Sequence, residues 1–152
     1  IAQIHYRSDE SFEQRFGRAT VDRLDQFNLW DRFQIESYLD YHGQKLVRRF
    51  DATRPRVPNR GGAPHAVGGG GGGAASALAR VRAPSLVASV TSDILYTPRQ
   101  QQELAAGLKA GGVPVEFHWI ESDHGHDGFL IEADQVNPMV GRFLAEQNKA
   151  QQ

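Results

Sequence analysis

An α/β fold built on parallel strands and preceded by a helical segment is predicted by three observations. After Pro84 the 152-residue chain runs through a short apolar strand, a helix, a second strand and a second helix, the order that parallel strands with helical crossovers require. Before Asp51 apolar residues recur at the three-and-four spacing of helices. Between these regions lies a stretch rich in Gly, Pro and Arg that keeps neither helical nor strand period. The expected organisation is therefore a helical region at 1–52, an irregular linker at 53–76 and an α/β region at 77–152.

In the first region Phe12 and Phe16 share a helical face, and Ile35, Tyr38, Leu39, His42, Leu46, Val47 and Phe50 form one stripe. Gly43 interrupts that stripe and predicts a break between two helices, since a helix-internal glycine costs about 1 kcal/mol relative to alanine. Tyr6, Phe27, Trp30 and Phe33 add aromatic mass to a small helical layer. From Thr53 to Ala77 the pattern collapses, with a glycine run from Gly68 to Gly73 that reads as a flexible linker. A phosphate cradle would also need Gly-Lys-Ser/Thr after a strand, and that is missing from the sequence.

Ser85 to Val90 is apolar and short enough for a strand. Thr97, Pro98 and Gln100 supply an N-cap, a proline at the first helical position and a capping-box partner, so a helix starts near Pro98. Its inner face is Leu104, Ala105 and Leu108, and Gly111-Gly112 stops it. Val115, Phe117 and Trp119 alternate along a second strand ending at Ile120. Asn137-Pro138 is the expected start of a last helix with Met139, Val140, Phe143 and Leu144 inward.

Composition narrows the function. An apolar fraction of 39% supports a real core, while a mean hydropathy of -0.51 implies that part of the chain packs poorly. A formal charge of -1 offers no broad field for nucleic acid or an anionic membrane. With no cysteine, disulfides, zinc-thiolate sites and a cysteine nucleophile are excluded, and a reducing cytoplasm fits. No apolar run approaches the roughly 20 residues of a membrane-spanning helix, and Ile1 opens with neither a basic leader nor a signal core. A soluble protein is expected. The missing initiator methionine suggests a chain that begins inside a longer one.

Ligands of open α/β sheets collect beyond the carboxyl ends of the strands. Asp93 follows the first strand there, and the segment Asp123-His124-Gly125-His126-Asp127-Gly128-Phe129-Leu130 follows the second. Acid before histidine is the order of the last two members of an α/β-hydrolase triad, so Asp93 reads as the orienting acid and His126 as the general base. Competing readings are a turn or cap acid for Asp93 and a loop histidine bonded to a backbone carbonyl for His126. A metal set of Asp123, His124, His126 and Asp127 is a further alternative, though it lacks the helical His-Glu-x-x-His spacing. No serine sits in a Gly-x-Ser-x-Gly elbow, so the sequence contains an acid and a base without a nucleophile.

Several blocks, in order, closely resemble homoserine O-acetyltransferases. They are Ile4 to Glu10, Phe12 to Arg18, Glu36 to Lys45, Arg49 to Ala52, Ser92 to Tyr96 and Gly125 to Leu130. The resemblance covers most of 1–52 and 77–147 and implies the carboxyl-terminal part of an α/β-hydrolase fold, with a helical lid before the last core strands. It implies ping-pong acetyl transfer from acetyl-CoA to the hydroxyl of L-homoserine, with no permanently bound cofactor and no metal; a homoserine or serine O-succinyltransferase, an esterase that uses water and a non-catalytic fragment are the alternatives. Asp93 and His126 would be the catalytic acid and base, Tyr6 and Asp127 would hold homoserine, and the serine would lie outside this chain. A homodimer through the lid helices is also implied. The stretch 53–76 departs from the family. A shifted reading frame would account for it, because the codons for Arg56 to Arg60 read one base later permit a Tyr-Leu-Thr run; a natural insertion is the alternative.

Overall fold

The structure, a computed structural model, describes residues 2–22, 29–49 and 73–150. Two compact units are present, one of Ile1–Ser8 with Ala66–Gln152 and one of Asp9–His65.

The second unit contains α2 (Asp9–Arg15) and α3 (Gln34–Arg49), with an isolated antiparallel bridge between Thr20 and Phe33 ahead of α3. Phe12, Phe16 and Tyr38 pack ring on ring at 5.1–6.3 Å, with the Arg15 guanidinium 5.0 Å from the Tyr38 centroid. Glu36 caps α3 by accepting the Phe33 N–H at 2.7 Å. The break expected at Gly43 does not occur, and α3 continues through it for 16 residues. A single glycine costs less than giving up the hydrogen bonds of a turn, so the ladder continues. The stripe is real only in its first half: Leu46 and Val47 are 59% and 77% exposed, and Trp30, expected in an aromatic layer, is 88% exposed. Phe27 and Phe50 lie outside the described residues, as does the 53–72 stretch.

The first unit holds α1 (Ala2–His5), α4 (Gly73–Leu78), β1 (Ser85–Val90), α5 (Pro98–Ala110), β2 (Val115–Ile120), the short α6 (Gly128–Ile131) and α7 (Ala133–Ala150). Both strands fall where their apolar patterns place them. They pair in parallel from Ser85 opposite Val115 to Val90 opposite Ile120, so a crossover must return the chain, and α5 provides it. The Gln100 side chain accepts the Thr97 N–H at 3.0 Å at the start of α5, and Gly111 N–H closes its end on Gly107 O at 3.1 Å. Val87, Ala105, Leu108 and Val113 form the core, flanked by Leu78, Val81, Val115 and Phe117. Leu104, expected on the inner face of α5, is instead 39% exposed.

Three boundaries differ from the sequence reading. Residues 73–76, expected as linker, belong to the helix Gly73–Leu78, because Ala74, Ala75, Ala77 and Leu78 are strong helix formers and Leu78 docks on the core. The last helix begins at Ala133, ahead of the expected Asn137-Pro138, and carries Pro138 inside it. Its first turn is secured independently of Pro138. The Gln135 side chain accepts the Glu121 N–H at 3.0 Å and donates to Glu121 O at 2.8 Å, tying the helix to the end of β2. Of its expected inner face, Met139 and Phe143 are half-buried, while Val140 and Leu144 are exposed. Residues 1–8 group with the sheet, apart from the helices that follow them. No helix among the described residues is long and apolar enough to cross a membrane.

Candidate active site

The parallel register sets the ends of β1 and β2 side by side, so the loops beyond Val90 and Ile120 leave the sheet together. Thr91 N–H continues the ladder onto Ile120 O at 3.0 Å. Two consecutive hydroxyls then stitch the loops. Thr91 Oγ1 accepts the Ser122 N–H at 3.2 Å, and Ser92 Oγ donates to Ser122 O at 2.5 Å while accepting the Gly125 N–H at 2.9 Å.

Asp93, only 6% exposed, lies in the first of these loops. Its Oδ1 accepts the Leu95 and Tyr96 N–H groups at 2.8 and 3.0 Å, and its Oδ2 faces His126 Nδ1 at 2.8 Å. One carboxylate oxygen thus serves the turn and the other faces the imidazole. Because a carboxylate only accepts, Nδ1 carries the hydrogen, and Nε2 is the ring atom left to take a proton. Tyr6, Tyr96 and Phe129 surround the imidazole, with ring centroids 5.5, 5.1 and 5.3 Å away. A cavity of about 350 Å³, lined in part by Asp93, Tyr96, His126, Phe129 and Met139, opens beside the pair.

The loop that carries His126 reaches this place through a turn only glycine suits. Gly125 has φ +65°, and a Cβ there would meet the Arg7 carbonyl carbon and the Ser8 nitrogen at 2.7 Å. That close approach is what ties residues 6–8 to the site. Tyr6 O accepts the Asp127 N–H at 3.2 Å, the buried Ser8 hydroxyl donates to Asp123 O, and Arg7 Nε pairs with Asp127 Oδ2 at 3.1 Å.

All four residues singled out in the sequence thus lie in one neighbourhood: Asp93 and His126 in direct contact, Tyr6 against the imidazole and Asp127 beside Tyr6. The would-be metal set is not gathered in this way. His126 faces Asp93 and Asp127 faces Arg7, and no group of three His, Asp or Glu side chains converges among the described residues. Sequence reasoning missed Arg7, Ser8, Ser92, Tyr96 and Phe129. Their adjacency to Tyr6, Asp93 and His126 was the available signal, because loops positioned by hydrogen bonds carry no periodicity. Ser89 Oγ and His124 Nδ1 are buried without a hydrogen-bond partner among the described residues.

No family model matches the chain. It is 47% identical over 146 residues to a homoserine O-acetyltransferase of Thermobifida fusca, covering 96% of this chain and 38% of that protein. A homoserine O-acetyltransferase of Pelobacter propionicus is 40% identical over 144 residues, covering 95% and 39%. The chain thus spans about two fifths of the length of these relatives. The crystal structure of homoserine O-acetyltransferase from Bacillus anthracis superposes with a TM-score of 0.81 at 18% identity, over 94% of this chain and 38% of that one. The fold is accordingly part of an α/β-hydrolase fold, parallel strands flanked by helices.

Proposed function

We propose that this chain, homologous over nearly all its length to part of the homoserine O-acetyltransferases, supplies the acid–base half of a site that moves an acetyl group from acetyl-CoA to the side-chain hydroxyl of L-homoserine. The contact that carries this reading is His126 Nδ1 on Asp93 Oδ2 at 2.8 Å, with the opposite carboxylate oxygen fixed by two backbone N–H groups. A carboxylate so held keeps one tautomer and favours the imidazolium as it forms.

In the proposed reaction His126 Nε2 takes the proton of a serine hydroxyl contributed by protein outside this chain, and that serine attacks the thioester of acetyl-CoA. The imidazolium then protonates the departing thiolate. In the second half the same nitrogen takes the proton of the homoserine hydroxyl, which attacks the acetyl-serine; the imidazolium returns that proton to the serine oxygen as its bond to the acetyl group breaks, releasing O-acetylhomoserine and restoring the serine. The rings of Tyr6, Tyr96 and Phe129 around the imidazole limit water, which would otherwise hydrolyse the acyl-enzyme. Asp127 and Tyr6 are assigned to homoserine. With Asp127 Oδ2 on Arg7, its Oδ1 is the oxygen offered to the substrate ammonium.

The same reading places the protein in the cytoplasm, with no permanently bound cofactor, and pairs two copies through the lid. Exposed Tyr41, Leu46 and Val47 on α3 support that pairing. The test uses the longer protein that contains this chain together with the serine. His126→Ala is expected to lower acetyl transfer at least 10³-fold and His124→Ala by less than about tenfold. Equal losses would discard the assignment. Thiol release from acetyl-CoA that ignores added homoserine would point to hydrolysis instead.

A further inference from the structure

We propose that Ser92 is a positioning residue for the Asp93–His126 pair, an inference that rests on the function proposed above. Its single hydroxyl spans the two loops. It donates to Ser122 O at 2.5 Å and accepts the Gly125 N–H at 2.9 Å, so its proton and a lone pair are both committed. The residues it joins make this contact special: Ser92 directly precedes the acid, and Gly125 directly precedes the base. Gly125 sits at φ +65°, a conformation that must be held by its neighbours if the next residue is to point one way. Removing the hydroxyl leaves the Gly125 N–H without its acceptor and frees the backbone that aims His126.

Thr91 supplies the internal control. Its hydroxyl bonds the backbone of Ser122 and Ile120 and has no bond to Gly125. Loss of either hydroxyl should lower the melting temperature, and only loss of Ser92 should disturb the imidazole.

The readout is the tautomer of His126 from its ring nitrogen-15 shifts in this chain, at a pH where the ring is neutral. The wild type and Thr91→Ala are expected to hold the Nδ1–H form. Ser92→Ala should drift to a mixture with Nε2–H, and Ser92→Thr, which returns a hydroxyl, should restore the wild-type state. Should Ser92→Ala fail to fold, Ser92→Cys, with a thiol that hydrogen-bonds only weakly, replaces it and is expected to give the same drift. A wild-type tautomer in the folded variant overturns the role of Ser92. Asp93→Asn separates the two levels. If it redistributes the tautomers and Ser92→Ala does not, only Ser92 is misassigned; if Asp93→Asn changes nothing, the acid–base pairing and the part given to Ser92 fall together.

Discussion

The sheet unit and the helical unit are built on opposite terms. Every residue that is buried among the described ones belongs to the sheet unit, including Val87, Leu108 and Ile120 at 3–6% exposure. The helical unit holds together through a few aromatic faces, a helix cap, the Thr20–Phe33 bridge and an Arg32–Asp40 ion pair, and no residue of α3 is buried. A two-stranded parallel sheet with a small core can still hold a carboxylate and an imidazole in fixed geometry, because hydrogen bonds in the loops finish what packing begins. A helix with an apolar stripe half in water positions nothing so tightly.

Substitutions in the two units should therefore differ in size and even in sign. The chain has one tryptophan in each unit, Trp30 and Trp119, so a Trp30→Phe background lets fluorescence report the sheet unit during urea unfolding. In that background Gly125→Ala should be the most damaging change, about 3–5 kcal/mol, because left-handed strain adds to a backbone clash. An unaltered midpoint would show that residues 6–8 do not press on this loop.

Next in size, Leu108→Ala should cost about 3 kcal/mol by opening a cavity in the core. Val47→Ala on the exposed end of α3 should stay within about 0.5 kcal/mol, read by helical circular dichroism. Similar losses at both positions would erase the contrast between the units. Arg7→Ala should cost about 1 kcal/mol, since its pair with Asp127 is only partly shielded, with side chains 25% and 29% exposed. That loss should shrink in high salt. Gly43→Ala should stabilise α3 by about 0.5–1 kcal/mol, there being nothing within 4 Å of an added Cβ. Destabilisation there would reveal a neighbour that α3 lacks among the described residues.

What could be read from the amino-acid order follows the same division. β1, β2 and α5 were legible to their ends because alternation and a capping box are local signals. The pairing of Asp93 with His126 was legible because parallel strands bring successive loops together whatever lies between them. The continuity of α3 through Gly43 and of α7 through Pro138 was not, since local propensity overstated what single residues cost. Least visible was the attachment of Tyr6, Arg7 and Ser8 to the His126 loop. Ser8 and its acceptor stand 115 residues apart, and no window on the chain spans that distance.

That distance also has a kinetic meaning. The contact between Ser8 and Asp123 joins residues 115 apart in sequence, and ordering so long a loop takes its entropy up front. The histidine turn should therefore mature late in folding, after the strands have already zipped.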